Sequence, residues 1–314
     1  MYKKEQIEIG GQPTGRLKAS WLLFKESWKY LRADKEVVWI PFITGIINLV
    51  LFGVLVTVFV LLVMGGDFTL SEEGEPSSPI ELVFIFACYI VGAFTLALSQ
   101  AGIVNTVYTR AYGGDATLGQ SLKVAFSRSG SLLMWSVITS TVGIVLRMIA
   151  ERSKLLGRIV LFFFGVAWSL ATYFVVPAMI IDKKSAFSSI GKSKQVFIDT
   201  WGETLVSNFS LGLTFLLVHL MSFLALIGLI ITSIAFDLHQ IFIPLIIVLY
   251  AVFFIVACLV QSALEGIVKT LLYIFASTGN APANFNQELL EKMLARSNVP
   301  SPSSPDPQIL NHTV

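Results

Sequence analysis

The chain has 314 residues, 55% hydrophobic and only 13% charged, against about 25% charged for an ordinary soluble domain, and its mean hydropathy is +0.76. A soluble core cannot hide that much apolar surface, so an ordinary water-soluble enzyme or binding domain is excluded. The net charge of +2 comes from basic residues flanking the apolar stretches, which gives no footing for a nucleic-acid partner.

The first 36 residues are charged and carry no pattern of a cleavable signal peptide. Within them Leu17, Trp21, Phe24, Trp28 and Leu31 recur at alternating steps of four and three, which places them on one helical face. Lys18, Lys25, Lys29 and Arg32 flank that face, Thr14 can cap it, and Pro13 stops it from extending backward. Tryptophan over lysine is the pattern of a helix lying in the headgroup plane. Such a helix serves either as a sensor of anionic lipid or as an anchor that positions the first hairpin. Trp21, Trp28 and Trp201 are the expected interfacial anchors.

Six long apolar stretches follow, near residues 37–64, 80–109, 131–150, 159–181, 203–235 and 240–276. Each is long enough to cross a hydrocarbon layer of ~30 Å, which takes roughly 20 residues. Backbone groups in lipid must be paired within the protein, so spans are helices or closed barrels. The run Val37–Met64 is continuously apolar, without the alternation of barrel strands. The expected fold is therefore an all-α polytopic membrane helix bundle with its transmembrane domain over 37–276 and its first span an uncleaved anchor. Pro177 is expected to open the fourth span by freeing the carbonyl of Tyr173. After the sixth span, Asn286 is placed to cap a short amphipathic helix ending near Arg296, within a 277–297 segment. Residues 298–314, with four prolines, read as disordered.

Lysines and arginines orient the threading. The N-terminal segment holds eight, the loop after the first span none, and the connections after the second and fourth spans and the C-terminal region hold most of the rest. With both termini cytoplasmic the inside count is eighteen. Arg147, Arg152, Lys154 and Arg158 dissent, because alternation puts them outside. Either that loop is overruled, with Glu151 pairing an arginine, or the third and fourth spans do not both cross fully.

A repeated unit precedes the paired spans. Ser20, Phe24, Glu26, Ser27 and Trp28 match Ser193, Phe197, Asp199, Thr200 and Trp201 in type and spacing. Leu118–Ser121 followed by Phe126 and Trp135 is a weaker third copy. The six spans then read as three repeats of interfacial amphipathic helix plus hairpin. Gln100 and Tyr112 echo Gln261 and Tyr273 at the same separation.

Polar side chains within spans are costly and mark candidate sites. In the sixth span Gln261, Glu265 and Lys269 are spaced by four, and Glu265 one turn before Lys269 is the favourable order for an intrahelical pair. The second span offers Gln100 and Asn105, and Gln100 can face Gln261 across a pseudo-axis if the repeat holds. Gln100, Asn105, Gln261, Glu265 and Lys269 are therefore the candidate intramembrane polar site. These residues either line a substrate or proton pathway or bind neighbouring helices. His219 stands alone in the fifth span and reads as a hydrogen-bonded core residue or a proton relay. Cys88 and Cys258 lie in spans, without disulfide or metal spacing. No nucleophile with its base, phosphate loop or zinc pair is present, so no cofactor and no catalytic residue are expected.

The motifs Trp168–Pro177, Ser193 to Glu203, Gly15–Trp21, Thr141–Arg147 with Glu151-Arg152, and the Thr278–Pro282 ending with Phe285 resemble a prokaryotic six-span integral membrane family of unknown function over residues 15–296. The chain is also distantly similar to the membrane domain that accompanies some glycerophosphodiester phosphodiesterases, without the catalytic barrel. The resemblance implies a plasma-membrane bundle and supplies no activity. The function expected is a non-enzymatic component that binds membrane lipid, another membrane protein or a second copy of itself. The alternative is a small transporter with a polar pathway between spans 2 and 6.

Overall fold

The computed structural model describes residues 25, 27–32, 34–65, 79–153, 155–201, 210–235 and 242–279. Trp21, the Ser20, Phe24 and Glu26 members of the first repeat copy, the Trp201 side chain, the start of the fifth span before Ser210 and the expected tail helix lie outside them. Among the described residues every regular element is helical. A 3₁₀ turn at Lys35–Val38 leads into α1 (Trp39–Gly65); α2 (Pro79–Ala111), α3 (Leu118–Ser127), α4 (Ser129–Arg152), α5 (Leu155–Ala171), α6 (Val175–Ile181), α7 (Ala186–Trp201), α8 (Ser210–Ala235) and α9 (Phe242–Thr278) follow. Six helical stretches are long and apolar enough to cross a membrane: Lys35–Gly65, Ile80–Ala111, Ser129–Arg152, Gly157–Ile181, Phe215–Ala235 and Phe242–Thr278.

The short elements have clear local causes. Thr117 caps α3 in a reciprocal box: the Gln120 N–H donates to Thr117 Oγ1 at 3.3 Å, and the Thr117 N–H donates to Gln120 Oε1 at 3.0 Å. Glu36 reaches across to the same helix start, where Oε2 accepts from the Leu118 N–H at 3.3 Å, a favourable place for a carboxylate. Gly279, at φ +75°, closes α9 with its N–H on the Phe275 carbonyl at 2.8 Å, the left-handed stop that glycine makes cheaply.

The fourth span is not one helix. It breaks at 172–174 into α5 and α6, three residues ahead of Pro177. The proline lacks the N–H that would have bonded the Tyr173 carbonyl, so the expected opening is present and lies on its N-terminal side. Ser193 of α7 fills the gap: its hydroxyl donates to the Ala171 carbonyl at 2.7 Å and accepts from the Phe174 N–H at 2.9 Å. One buried side chain thus satisfies a donor and an acceptor that the break exposes.

Packing is concentrated at one end. The central helix α2 touches α1, α3, α4, α6 and α9. Three clusters fill the space around its C-terminal half. Leu98, Val104, Leu132, Val175 and Met179 join α2, α4 and α6; Phe174, Phe197, Tyr273 and Phe275 join α6, α7 and α9; Ile40, Ile103, Phe215, Leu264 and Ile267 join α1, α2, α8 and α9. Two glycines allow the closest crossings. A Cβ on Gly102 would lie 2.8 Å from Ile40 Cγ2, and one on Gly266 would lie 2.7 Å from Ile103 Cγ2. Small residues that let backbones approach are the usual basis of helix packing in lipid. The other halves of the spans differ. Leu49, Leu61, Phe162, Phe163, Leu217, Leu229, Leu249 and Val252 all face outward.

The turn between α4 and α5 lies at this open end. Arg147 Nε pairs with Glu151 Oε1 at 2.7 Å, and Arg158 Nε–H donates to the Ala150 carbonyl at 3.3 Å. The arginine pairing expected for a short overruled loop is present. The 24 residues of α4 extend about 36 Å at 1.5 Å per residue, enough to cross.

Candidate intramembrane polar site

The α9 helix has 37 residues, and Gln261 sits near its middle, about 28 Å along the axis from Phe242. From Ala263 onward its inward face is buried; before Val256 its side chains are largely outward. The polar residues therefore lie where the packed end gives way to the open half.

Gln261 is bonded on both sides. Its Nε2 donates to Glu265 Oε1 at 2.9 Å, and its Oε1 lies 3.0 Å from His219 Nε2 on α8. The His219 ring also lies 5.0 Å from that of Phe254, and its Nδ1 is buried without a hydrogen-bond partner. An ionised carboxylate only accepts, so Gln261 must turn its amino group to Glu265 and its oxygen to His219. His219 Nε2 then carries the proton, and Nδ1 is left over.

Lys269 departs from the expected pair. Glu265 and Lys269 act on each other electrostatically, yet no ion pair joins them among the described contacts. Instead Lys269 Nζ sits 5.2 Å from the centre of the Tyr173 ring, a cation–π contact worth up to about 2 kcal/mol when desolvated. The break before α6 places the Tyr173 ring within reach of the lysine. Glu265 also acts on the Tyr173 hydroxyl.

The second-span candidates do not join this group. Asn105 Nδ2 donates to Ser121 Oγ of α3 at 3.3 Å, and Ser121 Oγ is 2.7 Å from Thr106 Oγ1. Gln100 is half-buried and is not bonded to Gln261. Between α2 and α9 stands the apolar crossing of Ile103 on Gly266, so the five candidates fall into two separate places. His219 and Tyr173 belong to the α9 group instead. Contacts over 42 residues or between different spans leave no periodic trace in sequence, although a lone intramembrane histidine was itself a signal.

Trp28 is half-buried against the Ile40–Ile103 cluster, with the Arg32 guanidinium 5.7 Å from its ring centre; it packs on the bundle as well as marking a basic flank. Near it, Tyr30 donates to the Val107 carbonyl at 3.1 Å. Arg110 Nε lies 3.0 Å from buried Asp34 Oδ2, with its N–H off the line of centres, so this contact is Coulombic; Arg110 Nη2 donates to Asp115 Oδ1 at 2.9 Å. Burial holds the Asp34 carboxyl above the usual carboxylate range, against the lowering pull of Arg110. Among the described residues no three His, Cys, Asp or Glu side chains gather to hold a metal ion.

No curated protein and no solved structure matches the chain. A family model described as a family of unknown function (DUF6159) matches residues 79–283, from the start of α2 to just beyond α9. The match names no activity and no phosphodiesterase. It covers more than half of the sequence, and the chain belongs to this family of unknown function.

Proposed function

We propose that this chain is a non-catalytic, multi-pass component of the plasma membrane that holds anionic lipid at its packed end, with that end and both termini on the cytoplasmic side. The observation that carries this reading is the set of exposed cations there. Arg32, Lys35, Lys123, Lys183 and Lys194 are all exposed and come from separate segments around the packed core. Each such residue near an anionic surface contributes about 1 kcal/mol. Ser121 of α3 and Ser193 of α7, both fully buried, each reach back into the span before them. That shared role supports the reading of amphipathic helix plus hairpin as a repeated unit. The test is native mass spectrometry of protein extracted from vesicles of mixed phosphatidylglycerol and phosphatidylcholine. Selective retention of phosphatidylglycerol, lost in Lys123→Gln/Lys183→Gln/Lys194→Gln, supports the reading; retention in proportion to the mixture contradicts it.

A transport reading has one observation in its favour, the polar chain at mid-span. Its pathway runs along the α8–α9 seam toward the α5–α6 break, not between spans 2 and 6. Solute flux into vesicles that Glu265→Gln leaves unchanged would remove it.

A further inference from the structure

The geometry points to a proton-binding site at Glu265 whose occupancy is transmitted through Gln261 to the tautomer of His219. It goes beyond lipid holding and does not depend on it. The three side chains admit two self-consistent hydrogen-bond arrangements. With Glu265 ionised, Gln261 Nε2 donates to it, Gln261 Oε1 accepts from His219 Nε2–H, and Nδ1 is the unpartnered atom. With Glu265 protonated, its hydroxyl donates to Gln261 Oε1, the amide turns over, and Gln261 Nε2 donates to His219 Nε2. The imidazole proton must then sit on Nδ1.

The proton count closes. One proton from water adds to the Glu265 carboxylate. His219 releases its Nε2 proton to water and takes one on Nδ1, so net uptake is one and the imidazole stays neutral in both states. Turning over an amide changes no heavy-atom packing, so the switch fits the space already there.

The surroundings favour such a site. Lys269, set over the Tyr173 ring, and Tyr173 both lie within electrostatic range of Glu265, and Phe254, tilted against Tyr250, covers the His219 ring. The faces that α1 and α2 turn to α9 bring apolar Ile40 and Ile103. A carboxylate partly withdrawn from water is costly to keep charged, and once the amide turns over Gln261 Oε1 becomes the acceptor for its neutral form. The α8 helix packs chiefly on α9, so the His219–Gln261 bond is a main polar tie between the two spans and reports the state of Glu265 directly.

The test uses full-length protein in lipid nanodiscs with ¹⁵N-labelled histidine. Only three histidines are present, and His219→Gln assigns the signal. The expected result is a change of His219 from the Nε2–H to the Nδ1–H form on acidification. An infrared band of a protonated carboxyl should rise with the same midpoint, and Glu265→Gln should abolish both. The proposal is overturned by a His219 tautomer that stays constant while Glu265 protonates, or by a tautomer change that persists in Glu265→Gln. The wild-type comparison of the two midpoints decides the matter even if the variants do not fold. Because neither signal reads lipid retention, its failure is separate from failure of the lipid reading.

Discussion

The packed end and the open half are built from the same helices, yet only one of them is close-packed. The difference follows from solvent. At the packed end the short helices α3 and α7, the 27–38 segment and the inter-span connections would otherwise meet water. Burying a large apolar side chain there gains about 1.5–3 kcal/mol. In the open half the alternative to a neighbouring helix is a lipid tail as apolar as leucine, and that driving force is absent. Tyr273, Phe174 and Ile267 are therefore enclosed, while Leu249 and Phe162 face outward.

The contrast predicts unequal responses to equivalent substitutions, measured by detergent-induced unfolding in mixed micelles. The largest effect is expected for Leu264→Ala, which empties a fully buried position at a cost of about 2–5 kcal/mol; Leu249→Ala, in the open half, should cost under about 0.5 kcal/mol. Similar losses at both would erase the distinction between the regions.

Glycine substitutions sharpen it. Gly266→Val forces a side chain into Ile103 and should destabilise by about 1–3 kcal/mol. A Cβ added at Gly53 or Gly228 would meet nothing within 4 Å, so alanine at either should be neutral or gain up to about 1 kcal/mol of helix propensity. Ser193→Ala should cost about 1–3 kcal/mol, because it leaves the Ala171 carbonyl and the Phe174 N–H unsatisfied in the interior. Thr232→Ala, which removes an exposed bond to the Gly228 carbonyl, should change stability by less than about 0.5 kcal/mol.

A further small effect is electrostatic and confined to the packed end. Burial raises the Asp34 carboxyl above its unfolded value of 3.8. A raised folded value means that the native state holds the proton more tightly, so this contribution is complete below the unfolded value and is lost as pH rises through the folded one. Wild type should therefore lose stability relative to Asp34→Asn as pH climbs from about 4, by under about 1 kcal/mol in all, and a difference that grows in the opposite direction would refute the assignment.

The spans were legible in sequence, but which end of them packs was not. Length and composition placed five of the six spans, and the end of the fifth, to within a few residues, because hydrocarbon thickness is a strict ruler. The turn-spaced Gln261, Glu265 and Lys269 were correctly put on one face of one helix. What their side chains bond was not legible. Lys269 prefers the Tyr173 ring because α5 ends early, and Asn105 prefers Ser121 because α3 folds back over α2; both outcomes depend on tertiary approach. Pro177 signalled an opening in the fourth span, but nothing local to it identifies Ser193 as the group that fills the gap. Ser193 and Ser121 did stand out as matched positions, without a stated role.

On this reading lipid bathes the open half while water meets the packed end. It is tested most directly by nitroxide labels on Leu49→Cys, Leu217→Cys, Leu249→Cys, Lys123→Cys and Lys183→Cys in vesicles, each probed with oxygen and with a water-soluble nickel chelate. Oxygen access without nickel access is expected at 49, 217 and 249, and the reverse preference at 123 and 183. Nickel access at 49, 217 and 249, or shielding of those positions from both reagents, would contradict it.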